Sequence, residues 1–453
     1  MAKAKAPRLK ENRMPFFRFL AWKSSDVTVA ATFLIVNTYL TLFCSDFLGL
    51  DPAVIGTILL VSNIIDFITD FIGAIIVDNT NTKWGRGRPY ELALVGLTAC
   101  TIAMFATPAG WSNGLKYAWI FFMYTFAYGV FNTLRISAGV VYCVRGWHNN
   151  RIVIGKVSSF GGIVTTLGSM VVSTTFPTMM AKLATSPKGW LPLVCMYLVP
   201  LTLFGLLRFF VVKEDTSIDV EKSERVDLKA ILNMIKKNKY AWYYGGMMLL
   251  FNTIQSMGTL SYYWKYIVGN TSMMGIVSIF GTLMLPLMFF FPIFLKKYSA
   301  AHVTAAGAII SSIGYLIVFF AGDRIPVLIG AALLTGFAAL PISYLFNLFI
   351  MDLAQYNRKL GLPSMEASVT ALFNGFGTQL GQGLGGFLTG ILLSASGYIA
   401  STGDAVVVQP ESALTMIRCL HSLVPMVLMI GTGIMAFKLS KMHKELTAEE
   451  TEK

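Results

Sequence analysis

Apolar stretches long enough to cross a bilayer recur from one end of this chain to the other, and that repetition leaves few folds open. A crossing helix needs about 20 residues with hardly any charge. Sliding hydropathy marks about twelve such stretches, at roughly 27–46, 54–77, 91–110, 117–143, 153–176, 190–212, 241–268, 272–296, 303–321, 325–350, 366–396 and 412–437. Hydrophobic residues make up 55% of the chain and charged residues 13%, about half the charged share of a soluble protein. Backbone groups in lipid must satisfy one another, and a helix does this within a single segment. The expected fold is therefore an all-α membrane protein of twelve transmembrane helices. The first stretch follows a basic tail containing Pro7 and Pro15, with no small-residue cleavage site. It reads as a retained helix and not as a removed signal peptide.

The longest polar interruption, residues 213–240, divides the chain nearly in half. Within it, Leu228, Ile231, Leu232 and Ile235 recur at helical spacing among lysines, the pattern of an amphipathic helix lying on a membrane surface. The expected organisation is a basic tail over 1–26, a six-helix bundle over 27–212, a linker over 213–240, a second six-helix bundle over 241–437, and a tail over 438–453. Lys and Arg concentrate in the two tails and in alternate loops (Lys83, Arg86 and Arg88; Arg145 and Arg151; Lys296 and Lys297; Arg358 and Lys359). The positive-inside bias then places both termini in the cytoplasm. The net charge of +13 follows from that topology, with no nucleic-acid partner needed. The five cysteines lie in or beside apolar stretches without paired spacing, as small packing residues do.

One stretch breaks the apolar rule. In residues 55–77, Asp66 and Asp70 stand four apart, on one helical face with Asn63 and Thr69 beside them. A carboxylate at membrane depth costs at least a few kcal/mol and marks an ion or proton pathway by default. The bland alternative is that both aspartates pair with basic residues on other helices.

Several segments carry a family resemblance. Asn81–Glu91 (NTKWGRGRPYE), Ile64–Asp70 (IIDFITD), Tyr262–Asn270 (YYWKYIVGN), Ser368–Gly386 (SVTALFNGFGTQLGQGLGG) and the pattern Gln409, Ile417, Arg418, Pro425 resemble, in order, motifs of the glycoside–pentoside–hexuronide cation symporters. This is the family of the melibiose permease, within the major facilitator superfamily. The resemblance implies two six-helix bundles with substrate held between rocking halves near the midplane. It also implies a coupling Na⁺, Li⁺ or H⁺ held at Asp66, Thr69, Asp70 and Thr133, with Asn63 adjacent. Oxygen donors of this kind suit a hard cation such as Na⁺. Thr69 stands where the family often has Asn, which bears on ion selectivity. Superfamily likeness further implies that Asp78, Arg86 and Arg88 form an inner gate latch; a solvated basic loop is the alternative.

The sugar side departs from the family. Its acidic residues on the first and fourth spans align with Ala30 and Ile136, and its eleventh-span lysine with Gln379. Asp26, one turn before Ala30, is a partial substitute. Arg135 on the fourth span admits three readings: an anchor for an anionic substrate group, an internal counter-ion for Asp66 or Asp70, or a structural ion pair. Asn37, Asn252, Gln255, Asn347, Asn374 and Gln379 are each a cavity-lining residue or an interhelical hydrogen-bonding one. The substrate-side candidates are Asp26, Asn37, Arg135, Asn374 and Gln379. Lys265 at the end of the seventh span is either a snorkelling lysine or part of a gate. Arg151 and Lys156 overlie a basic family position with shifted spacing.

Other chemistry finds little support. Gly375–Gly386 follows no strand, so it fails the context of a nucleotide-binding loop, and its glycines read as close helix contacts. The four histidines lie far apart. The expected protein is a multi-pass plasma-membrane transporter of a bacterial type, not an enzyme and without a cofactor. Its partners are a sugar, glycoside or sugar acid, a coupling Na⁺ or H⁺, and the bilayer. The alternatives are a carrier of an amphipathic, lysolipid- or steroid-like substrate and a non-transporting sensor.

Overall fold

A computed structural model describes residues 14–218, 233–234, 236–282, 294–295, 297–362, 377–400 and 407–452. The described residues are helical throughout apart from turns, loops and one isolated bridge between Thr82 and Gly85. Seven of their helices are long and apolar enough to cross a membrane. The second helix, Pro52–Asn79, shows how sequence sorts its faces. Ile64, Ile68, Ile72 and Ile75 form an exposed apolar stripe, whereas Asn63, Asp66, Gly73 and Val77 turn inward. An apolar outside with polar groups inside inverts the soluble pattern and suits hydrocarbon.

The first helix runs from Phe16 to Asp46, eleven residues earlier than hydropathy placed it. Arg18, Lys23 and Asp26 interrupt the apolar run, but the fold supplies their partners. Arg18 Nη2 donates to the Gly146 carbonyl, and Phe19 and Trp22 pack with Tyr142 and Trp147. The expected seventh span is broken. Its helix ends at Gln255 and restarts at Thr259 after Gly258, whose φ of +63° lies in the left-handed region. A Cβ there would fall 2.6 Å from the Asn37 carbonyl oxygen, so the break lets the two halves touch. Span ten breaks between Thr335 and Ala339. There Ser311 Oγ accepts from Ala338 N at 2.9 Å and lies 3.0 Å from the Thr335 carbonyl. The expected amphipathic linker helix falls mostly outside the described residues; 233–234 and 236–237 are helical.

Packing differs between the two ends of the molecule. At one end a single core takes residues from both halves: Tyr39, Phe43, Phe105 and Trp190 with Tyr262, Trp264, Val318 and Leu393. At the other end, where the chain starts, crosses its linker and finishes, the halves have separate cores. Phe19, Trp22, Tyr142 and Trp147 form one, and Tyr240, Tyr244, Phe349 and Leu446 belong to the other. The halves meet most closely where the second helix lies against Gly377–Ala395. A Cβ on Gly56 would stand 2.7 Å from the Gly386 carbonyl oxygen, and one on Gly390 would stand 2.1 Å from that of Pro52. Glycine on both sides lets the backbones touch.

Candidate functional site

That glycine-lined contact leads down to the aspartate pair. Thr133 enters from the fourth span, where the α-helix Asn113–Thr125 passes through a π-helical turn, Phe126–Asn132, and resumes at Thr133. Such turns inside α-helices favour functional sites because they re-aim the side chains that follow. Here Thr133 Oγ1 lies 2.8 Å from Asp66 Oδ1 and 3.0 Å from Asp70 Oδ1. Gly73 makes room, since a Cβ there would sit 2.7 Å from the Thr133 methyl group. From the other half, Gln379 Nε2 donates toward Asp66 Oδ2 at 3.1 Å and Asp70 Oδ2 at 2.7 Å. The two carboxylates are thus clamped between a hydroxyl and an amide on opposite halves of the chain.

No described cation pairs with either aspartate. Two formal negative charges at membrane depth with only neutral donors demand a proton or a metal cation. Two carboxylates and one hydroxyl are oxygen donors of the kind a small hard cation takes; Gln379 presents its Nε2 to the pair, and its Oε1 is buried without a hydrogen-bond partner. Among the described residues no three His, Cys, Asp or Glu cluster as a transition-metal site would require. Thr69 is turned back on its own helix, donating to the Asp66 carbonyl at 2.9 Å, and faces Gly129 of the π-turn.

Asn63 lies one turn away from the pair. Its Nδ2 donates to the Leu59 carbonyl at 2.7 Å and to the Tyr124 hydroxyl at 3.3 Å. Tyr124 also lines a small polar cavity with Asn37, Thr41, Ser256 and Gln382. Asn63 and Tyr124 therefore connect the aspartate helix to a cavity shared by both halves. Of the other substrate-side candidates, Gln379 sits on the carboxylates, and Asn374 falls outside the described residues. Asn252 donates to the Met248 carbonyl at 2.8 Å as a packing amide does.

Arg135 and Asp26 meet each other. Arg135 Nη1 stands 3.7 Å from Asp26 Oδ1, and Asp26 also faces Lys23 at 2.9 Å and Arg208 at 3.0 Å. The structure thus gives Arg135 to Asp26 and leaves Asp66 and Asp70 without it. Asp26, engaged by three cations, is no free acceptor for a sugar hydroxyl.

The loop expected to latch the inner gate is organised around a residue that sequence reading passed over. The backbone N–H groups of Arg86, Gly87 and Arg88 all donate to the buried Glu214 carboxylate, the first two at 2.7 Å. Arg86 Nε donates to the Val77 carbonyl at 3.2 Å and Arg88 Nε to that of Phe209 at 2.8 Å. The Asp78 and Arg151 side chains lie outside the described set, and Lys156 is exposed.

At the opposite end Lys265 belongs to a second π-helical turn, Trp264–Val268, and bonds Asp46, a buried carboxylate at the end of the first helix. Tyr266 donates to Asp46 Oδ2 at 2.6 Å, Tyr398 donates to Oδ1, and Ser45 lies 2.8 Å from Oδ1. Asp46, Tyr266 and Tyr398 escaped sequence reading because each stands at a helix end, where polar residues are ordinary.

The chain that carries this geometry is similar to known proteins along nearly its whole length. Residues 22–440 match the family described as MFS/sugar transport protein. The chain belongs to that family. It is a multi-pass membrane transporter, not an enzyme, and a member of the glycoside–pentoside–hexuronide cation symporter group. It is 24% identical to the isoprimeverose transporter of Lactiplantibacillus pentosus over 98% of this chain and 93% of that protein. It is 22% identical to the glucuronide carrier protein homolog of Escherichia coli (strain K12), over 95% of each. Among solved structures, a nucleoside transporter superposes with a TM-score of 0.62 at 15% identity, covering 94% of this chain and 97% of that one. A D-xylose–proton symporter superposes at 0.58 and 13% identity, covering 91% and 97%. At such identities the likeness shows the major facilitator fold alone.

Proposed function

We propose that this protein is a secondary active symporter that couples entry of Na⁺ or H⁺ to uptake of a sugar or glycoside by alternating access. One observation carries the reading: Asp66 and Asp70 on one half are closed over by Gln379 from the other. A cation arriving at the pair neutralises it and changes what Gln379 faces, so ion binding and the relative position of the halves become one equilibrium. Linkage then requires that a cation which tightens substrate binding is itself held tighter by substrate, by the same factor. The Asn63–Tyr124 contact relays the state of the aspartate helix to the cavity at Asn37, Ser256 and Gln382, where the substrate is proposed to sit. The named substrates of the sugar-carrying relatives support a sugar as cargo.

Topology completes the proposal. Twelve spans form two six-helix bundles, 27–212 and 241–437, joined by the 213–240 linker, with both termini cytoplasmic. The basic loops sit at the end where the halves have separate cores, which the positive-inside bias makes the inner face. The molecule is then closed outside, by the shared core and the Asp46 hub, and parted inside. Uptake of radiolabelled sugars into proteoliposomes, with and without an imposed Na⁺ or proton gradient, tests the reading. Gradient-driven accumulation that Asp66→Asn removes supports it. Movement of an amphipathic compound alone, indifferent to both gradients, refutes it.

A further inference from the structure

Two helices of the second half, Ala300–Ala321 and Leu423–Glu452, run side by side, and neither carries a residue of the aspartate site. They approach closely at Gly433, where a Cβ would fall 3.2 Å from that of Ala308. Beside this contact lies a groove of about 600 Å³. Ala305, Met429 and Gly433 form its buried floor, and Ile309, Ile313, Ile430 and Ile434 form its exposed walls. In a membrane protein such walls meet acyl chains and not water.

The groove ends at two cations. Beyond Phe437 it is lined by Lys438 and Lys441, neighbours on one helical face. Both are exposed, and neither joins an ion pair among the described residues. Lys438 Nζ rests 5.4 Å from the centre of the Tyr243 ring, a contact that supplies no anion. Glu445, one turn beyond Lys441, is already engaged: it accepts from Lys239 at 3.2 Å, Tyr240 at 2.6 Å and Tyr356 at 2.8 Å. Residues 426–437 cover about 16 Å of helix axis at about 1.5 Å per residue, half of a hydrocarbon core roughly 30 Å thick. The groove is thus one leaflet deep, with both ammonium groups at the level of the lipid phosphates. Snorkelling accounts for lysines at a helix end, but not for an apolar groove running up to them. A second hollow, about 500 Å³ beside Gly307 and Leu340, has no lysine or arginine among its described lining residues and so selects no headgroup.

We infer that this groove is a binding site for an anionic phospholipid, with an acyl chain between the isoleucine walls and the phosphate between Lys438 and Lys441. A zwitterionic lipid brings a cation of its own toward the two lysines, whereas an anionic one brings net negative charge to them. Each lysine near the membrane surface favours anionic lipid by about fivefold. The topology proposed above makes the leaflet the inner one; the groove and its charges do not depend on that assignment, nor on what the protein transports.

The test is native mass spectrometry of the purified full-length protein titrated with dioleoyl phosphatidylglycerol or dioleoyl phosphatidylcholine, which share acyl chains and differ in headgroup charge. The first phosphatidylglycerol is expected to bind roughly tenfold or more tightly than the first phosphatidylcholine. Lys438→Gln combined with Lys441→Gln should bring that ratio to within about twofold. Lys83→Gln combined with Lys213→Gln removes equal charge from exposed positions of the first half and should leave the ratio unchanged. Ile434→Trp, which fills the groove from an exposed wall, should weaken the binding of both lipids. Equal binding of the two lipids by the unsubstituted protein overturns the inference, and that comparison needs no variant to fold. A preference that survives loss of Lys438 and Lys441 overturns it, as does one that falls equally without Lys83 and Lys213, since that is general surface attraction. Unaltered binding in Ile434→Trp overturns the groove as the seat of the chain. Displacement of phosphatidylglycerol by an equal concentration of inorganic phosphate shows a free anion to be the ligand and overturns the lipid site.

Discussion

Replacing Gln379 with lysine asks whether neutralisation of the aspartate pair is the coupling event. Gln379 Nε2 stands 3.1 Å and 2.7 Å from the nearer oxygens of Asp66 and Asp70, so an ammonium in that place contacts both. Opposite unit charges about 4 Å apart attract by about 4 kcal/mol at an effective dielectric near 20. Two such attractions are offset by a desolvation penalty of several kcal/mol for the buried lysine. A net of about 3 kcal/mol corresponds to roughly a hundredfold, the factor by which a mobile cation should bind more weakly against the tethered one. The assay is substrate binding and proteoliposome flux as a function of Na⁺ and of pH. The expected result is binding indifferent to both, with downhill exchange retained and gradient-driven accumulation lost. A folded Gln379→Lys protein whose half-saturating cation concentration stays within about twofold of the original would refute the neutralisation argument, because the magnitude above permits no such outcome.

Three further outcomes follow from the geometry. Asp66→Asn and Asp70→Asn should each abolish cation-stimulated uptake while leaving the melting temperature near or above its starting value, since each removes an uncompensated charge; stimulation surviving in both excludes the pair as the coupling site. Lys265→Met removes an ionic partner of Asp46 at the end where the two halves share a core. Removing one member of a buried pair costs about 3–5 kcal/mol, less here because Lys265 is partly exposed. Maleimide labelling of Ser45→Cys should therefore speed up by about tenfold or more, and an unchanged rate argues against a latch. Glu214→Ala leaves the N–H groups of Arg86, Gly87 and Arg88 without their shared acceptor. A loss of about 1.5–3 kcal/mol should appear as a melting temperature lower by several degrees, and no change would show that water replaces the carboxylate freely.

Legibility in the sequence followed the strength of the local signal. Asp66 and Asp70 stood out because the surrounding residues are apolar, and Thr133 was reachable only through family likeness. The early start of the first helix was hidden because Arg18, Lys23 and Asp26 look like surface residues until Gly146, Asp26's other cations and Trp147 are seen around them. The break at Ser256–Gly258 lay inside a stretch that a sliding hydropathy window averages into one span, although Asn252, Gln255, Ser256 and Gly258 interrupt it. Glu214 resembled an ordinary charged linker residue, since three backbone donors leave no trace in composition.

What the sequence by itself determined is the all-helical membrane character and the presence of a charge pair that lipid cannot tolerate alone. Those properties depend on composition and periodicity along the chain, and each segment expresses them independently. The tertiary structure alone decided which residues meet: Gln379 on the carboxylates, Arg135 with Asp26, Lys265 with Asp46, and a shared core at one end only. Partners drawn from residues hundreds of positions apart are set by how helices cross and how closely glycines let them approach. That is a property of packed surfaces, which no single segment carries.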